Sequence, residues 1–269
     1  MINRSLHFLS MRHRASLILF LGWCVSRFLF SLVRIFSLGC WTFLPGFLLA
    51  LSYPFLISLY LFRGNQTAYL IYFLNGVIAD SIFFWVIRPG TGSAFAPTDG
   101  WDAVLWLASM TTLTLALLLH YLSSSSRRKS CVFPEYPGRT HAMIAVTAMI
   151  LFTLILRIVH LVTMDMPNEG RSLMIAGCEI HHAVTGSVAL LLLGILITNH
   201  VIRSSKIIFL FLGILSASLL DESFYMQLTE PTDAMYNGFA SWLGAIVGMV
   251  SYTIFHVFLS RRRRSYDNE

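Results

Sequence analysis

Residues 139–164 read RTHAMIAVTAMILFTLILRIVHLVTM. Past Thr140 the stretch is apolar on every helical face, with Arg157 as its single fixed charge and a histidine near each end. A helix that is apolar all round belongs in hydrocarbon or in the centre of a large core. A bilayer interior of about 30 Å calls for roughly 20 helical residues, which this stretch supplies. The rest of the chain decides between the two settings. Hydrophobic residues make up 56% of its 269 positions and charged residues 12%, and the mean hydropathy is +0.70. Too few polar side chains remain to cover a water-facing globule.

Similar runs recur along the sequence, and eight spans are expected, near 15–37, 42–62, 67–88, 101–122, 141–164, 173–199, 206–228 and 236–260. The basic start, Met1 to Arg14, resembles a secretory leader. It lacks a small-residue cleavage site, and the run after it carries Arg27 and Arg34, so it reads as a retained first span. The fold class is therefore all-α, a polytopic membrane helix bundle in one membrane domain. Spans one to four (1–122) and five to eight (141–260) flank a serine- and arginine-containing cytosolic linker, 123–140, and residues 261–269 form a basic tail.

Charge orients the spans. Fourteen of the nineteen Lys and Arg fall on the side that holds both termini, and only Arg88 and Arg171 fall in loops on the other. By the positive-inside rule both termini are cytosolic, which places a multi-pass protein in a cell inner membrane. The net charge of +6 is accounted for by these span ends, as at Arg261–Arg264, and implies no nucleic-acid partner. Cys24, Cys40, Cys131 and Cys178 show no Cys-x-x-Cys spacing, so neither a disulfide framework nor a cysteine zinc site is expected.

Ionisable side chains inside hydrocarbon cost at least about 2.5 kcal/mol each, so their depth is informative. Glu179, His181 and His182 lie in the sixth span, Asp221 and Glu222 in the seventh, Arg157 and His160 in the fifth, and Asp80 in the third. Counted from the outer ends, nearly all sit about 6–14 Å deep. Antiparallel spans thus bring acids and imidazoles into one layer of the outer leaflet. On a continuous helix, Glu179 and His182 would be about 60° apart and share a face with Gly186. Ser218, Asp221, Glu222 and Tyr225 form one polar face of the seventh span, and Thr153, Arg157 and His160 align on the fifth.

Carboxylates with neutral imidazoles suit zinc, iron or manganese, and a Glu-x-x-His pair facing inward is how helical bundles hold such ions. The expected metal ligands are Glu179, His182, Asp221, Glu222 and His160. Glu222, Asp221 and His181 are the candidate acid–base groups on an activated water, and Asp80, Arg157 and Tyr225 are accessory. The bland reading is helix glue, with Arg157 paired to Asp221 and Arg27 to Asp80. A cluster one leaflet deep favours access by membrane lipids or a lipid-linked substrate, hence a metal-dependent membrane hydrolase or oxidase. The alternatives are a proton- or ion-coupled transporter, a b-type haem protein using the second histidine set (His120, His141, His200, His256), and a structural membrane subunit.

Ile180-His181-His182-Ala183-Val184-Thr185-Gly186, followed by Leu220-Asp221-Glu222, resembles a family of bacterial integral membrane proteins with an IHHxxxG helix and a following LDE helix. The resemblance covers the sixth and seventh spans. It implies that His181, His182, Gly186, Asp221 and Glu222 belong together.

Overall fold

The computed structural model describes residues 2–35, 44–63, 68–81, 101–125, 137–163, 174–175, 178–179, 182–199, 205–228 and 236–266. Among these the fold is all-α. The helices are α1 (Ile2–Ile35), α2 (Leu44–Arg63), α3 (Ala68–Ser81), α4 (Trp101–Ser125), α5 (Arg139–Thr163), α6 (His182–Thr198), α7 (Lys206–Leu228) and α8 (Phe239–Tyr266). A two-residue antiparallel ladder precedes α6, with β1 (Met174–Ile175) paired to β2 (Cys178–Glu179) in the register Met174↔Glu179 and Ile175↔Cys178.

This ladder corrects the sixth span. The helix expected from 173 begins instead at His182, and Glu179 is a strand residue. The helical spacing expected to put Glu179 and His182 on one face therefore does not hold. Residues 173–180 are apolar enough to extend a hydropathy window, but hydropathy measures transfer to oil and not helicity. Backbone pairing across the ladder satisfies the same peptide groups that a helical turn would.

Among the described residues two helices are long and apolar enough to cross a membrane: Arg139–Val162, with mean hydropathy 2.4, and Phe239–Arg261, with 1.7. Only a third of each is buried inside the protein. On α5 the buried residues Ala142, Ala145, Met149, Thr153 and Arg157 follow helical spacing, while Leu151, Ile155, Ile158 and Val162 form the opposite, exposed stripe.

The chain divides into two compact units. The first comprises Met1–Val86, Gly100–Tyr136 and Leu191–Ser204. Here α1 and α3 cross at two glycines: Gly22 lies against the Phe73 carbonyl and Gly76 against the Leu19 carbonyl, where neither position leaves space for a Cβ. The crossing carries a buried polar knot. Asp80 accepts from Ser26 Oγ at 2.7 Å, from Ser109 Oγ at 2.8 Å and from the Arg27 guanidinium, while Trp23 Nε1 donates to Ser109 Oγ at 2.9 Å. Asp80 has no exposed surface. Its described partners join α1, α3 and α4, which makes the Arg27–Asp80 pair a helix tie. Elsewhere in this unit Tyr53 O–H donates to Asn75 Oδ1, and Tyr72 O–H donates to the Thr198 carbonyl at 3.0 Å.

The second unit comprises Ile87–Asp99, Pro137–Leu190 and Ser205–Glu269. Its helices α5 and α7 approach closely where Gly213 meets the Ala145 carbonyl and the Ala148 methyl. The start of α6 packs on α7 through Gly186, and α8 meets α7 at Gly248, beside the Leu220 side chain.

Candidate functional site

The polar residues of the second unit converge for a local reason. Gly186 follows His182 by one turn on α6, and Ser218 precedes Glu222 by one turn on α7, so each pair shares a face. A Cβ on Gly186 would lie 2.8 Å from Ser218 Cβ and 3.2 Å from the Leu215 carbonyl oxygen. The glycine therefore lets the two backbones close up, and one turn further along His182 meets the acids. Gly186→Val is expected to force the helices apart at a cost of about 2 kcal/mol. It should also weaken any ligand held by His182, as thermal unfolding and binding measured on the same sample would show.

Arg157 lies at the centre. It has no exposed surface, and each of its three guanidinium nitrogens donates to a protein group. Nε donates to Asp221 Oδ1 at 2.6 Å, Nη1 to the Tyr236 carbonyl at 2.6 Å, and Nη2 to the carbonyls of Asp221 at 3.2 Å and Ser241 at 3.4 Å. Its Cζ stands 4.2 Å from the Tyr236 ring centre and 5.0 Å from that of Trp242, so two aromatic faces complete the cage. Asp221 is equally committed, because its Oδ2 accepts the Tyr236 hydroxyl.

His182 is suspended between two carboxylates. Its Nε2 is 3.4 Å from Asp221 Oδ2 and its Nδ1 is 3.2 Å from Glu222 Oε1. Both separations exceed the roughly 2.7–2.9 Å of a tight charge-assisted hydrogen bond. The His182 side chain is 29% exposed, against 0% for Asp221 and 5% for Glu222. The imidazole is thus the reachable edge of an otherwise buried cluster. His160 stacks edge-on against Tyr236, with ring centres 4.4 Å apart, on the side of the tyrosine that α5 supplies.

Of the residues expected from sequence, the structure joins His160, Arg157, His182, Asp221 and Glu222 in one cluster. Asp80 lies in the first unit with the partners described above. Glu179 is placed only through its backbone in β2 and Tyr225 only through its position in α7, and their side chains lie outside the described residues, as does the whole of His181. Tyr236 was not among the site residues expected from sequence. It touches Arg157, His160, His182 and Asp221. Tyr236→Phe keeps the ring over Arg157 and removes one hydrogen bond to a carboxylate. It is expected to lower stability by about 1.5 kcal/mol in a thermal melt.

The second histidine set is occupied with local structure where it is described. His141 Nδ1 accepts from the Gly138 amide at 3.2 Å and caps the start of α5. His256 Nδ1 donates to the Tyr252 carbonyl at 3.0 Å, a helix-internal bond, and His120 meets the Tyr72 ring edge-on.

The described residues define an all-α fold with two membrane-length helices and a buried guanidinium–carboxylate pair with an imidazole at its exposed edge. Comparison with protein-family models, with curated proteins and with solved structures finds no match for the chain.

Proposed function

We propose that the chain crosses an inner membrane eight times, with both termini in the cytosol. In this reading the second unit carries a catalytic site open to the outer leaflet, acting on a lipid or a lipid-linked substrate. The membrane reading is supported by apolar side chains exposed in both units, including Leu17, Phe28, Leu107, Leu115, Ile158 and Ile254. So many in one chain have no place against water. The charge asymmetry of the loops supports the orientation. At 17 residues, α6 is at the short end for a span, about 25 Å.

One observation carries the catalytic reading: His182 and Glu222 are superfluous to the ion pair beside them. Arg157 and Asp221 satisfy each other and borrow backbone carbonyls and Tyr236 for the remainder, so helix glue is complete without a second carboxylate or an imidazole. A buried acid beside the imidazole is costly in hydrocarbon, and that cost argues for a use beyond helix contact. The described geometry supports the following roles. Asp221, held by Arg157 and Tyr236, orients the His182 ring. Glu222 faces the other ring nitrogen. His182, at the accessible edge, takes or delivers a proton at the substrate.

The same edge suits a divalent ion. Ligands about 2.1 Å from a shared zinc, iron or manganese stand about 3.0–3.4 Å apart, which is the spacing of His182 Nδ1 and Glu222 Oε1. Among the described residues no set of three or more His, Cys, Asp or Glu forms a ligand group, so Glu179 and His181 are the residues proposed to complete it. A bound ion would supply a polarised water or carbonyl for hydrolysis, or an oxidising centre. Elemental analysis of the purified protein separates the classes. Bound metal supports the enzyme, a Soret band would indicate haem, and metal-free protein with pH-dependent flux in liposomes would assign the cluster to proton- or ion-coupled transport.

A further inference from the structure

We infer that the second unit holds an anionic phospholipid at the end opposite the His182 cluster, through a collar of cations drawn from three helices. The inference uses the membrane reading proposed above and is independent of the catalytic one. α5 and α7 run in the same direction, since Gly213 meets Ala145 toward their starts and Asp221 meets Arg157 toward their ends. The rings of His141 and Phe209, 5.2 Å apart, join the two starts. α8 runs the other way, because the Ser241 carbonyl near its start accepts from Arg157 and Gly248 lies beside Leu220. The starts of α5 and α7 therefore share one end of the unit with the far end of α8, and there Arg139, Lys206 and Arg261 are all exposed. The described acids of this unit belong to the opposite end: Asp221 and Glu222 meet His182, and Glu179 precedes it by three residues. α8 continues as helix from Arg261, where its membrane-length part stops, to Tyr266. That extension adds Arg262, Arg263 and Arg264, and the Asp267 and Glu269 that follow in sequence leave the balance positive.

Orientation in the membrane already accounts for cations at this end. The apolar side chains beneath them go further. Four residues along each helix toward the middle of the unit, and so on the same face as the cation, stands an exposed apolar side chain: Met143 after Arg139, Leu210 after Lys206 and Val257 before Arg261. The pattern repeats on all three helices and matches a phospholipid, with a phosphodiester for the cations and an acyl chain for the apolar residues. A soluble polyanion would use the cations and leave the apolar residues idle. Guanidinium and ammonium groups meet phosphate oxygens in charge-assisted hydrogen bonds, and each cation just beyond a span favours anionic over zwitterionic lipid about fivefold.

The test places the full-length protein in nanodiscs of phosphatidylcholine and phosphatidylglycerol in equal parts and reads the retained lipid by native mass spectrometry. Phosphatidylglycerol is expected to be retained at least about tenfold over phosphatidylcholine. Arg139→Gln/Lys206→Gln/Arg261→Gln should bring the two near parity. Arg127→Gln/Arg128→Gln/Lys129→Gln removes the same charge from the linker and should leave the preference in place. Equal retention in the wild type overturns the inference, as does an equal loss in both triple variants. Should the collar variant fail to insert, the wild type in about 1 M salt decides, where screening falls to about 3 Å: the preference is expected to shrink severalfold, and one that persists undiminished overturns the inference. A chain that enters no nanodisc refutes the membrane reading and the collar with it, whereas an inserted chain without preference refutes the collar alone.

Discussion

Asp221→Asn is expected to destabilise the second unit by about 3–5 kcal/mol, the usual consequence of stripping one partner from a buried ion pair. The side chains of Arg157 and Asp221 have no exposed surface, so a guanidinium left without its carboxylate is cut off from water. Asn retains the shape and can still accept one hydrogen bond, which isolates the charge as the cause. The double variant Arg157→Met/Asp221→Leu should recover part of the loss and not all of it. The carbonyls of Tyr236 and Ser241 would lose the donors that now satisfy them, and an orphaned carbonyl costs about 1–3 kcal/mol. Thermal unfolding of the wild type, Arg157→Met, Asp221→Leu and the double variant in one detergent gives the comparison. Additive losses from the two single changes would mean that the pair does not act as a unit.

His182→Ala is expected to behave in the opposite way. The imidazole is nearly a third exposed, and its two carboxylate contacts are long, so stability should change by less than about 1 kcal/mol. Metal affinity, if His182 is a ligand, should fall at least about 100-fold, and turnover of a lipid substrate should fall with it. That asymmetry separates a working residue from glue: the structural pair fails by unfolding, whereas the exposed imidazole fails while the fold stands. A large stability loss in His182→Ala would place it with Arg157 and Asp221 as scaffold.

Much of this was legible in the sequence, because a helix built for an apolar setting announces itself in composition. Residues 206–228 were expected as a helix, and α7 has those limits; α5 differs from its expected span by a few residues at most. The convergence of His182 with Asp221 and Glu222 followed from depth and facing alone. The pairings Arg157–Asp221 and Arg27–Asp80, weighed as the bland alternative, are both present. They account for the guanidinium side of the cluster and leave the imidazole side unexplained.

What sequence did not reveal has physical reasons. The β1–β2 ladder is apolar apart from Glu179, so hydropathy does not distinguish it from helix, and with it went the helical relation of Glu179 to His182. The carbonyls of Tyr236 and Ser241 that hold Arg157 leave no trace in residue type, since every residue has one. Tyr236 was hidden by a plausible rival role, because a tyrosine at a span end fits the headgroup region as well as it fits a carboxylate.

The central claim is that His182 and Glu222 hold something the ion pair beside them does not need. The most direct measurement is elemental analysis of protein purified in detergent without chelator, for the wild type and for His182→Ala/Glu222→Gln. The account predicts close to one equivalent of zinc, iron or manganese per chain in the wild type, none in the variant, and closely similar melting temperatures. Wild-type protein with metal only at trace level, together with a variant that differs solely by melting lower, would contradict it.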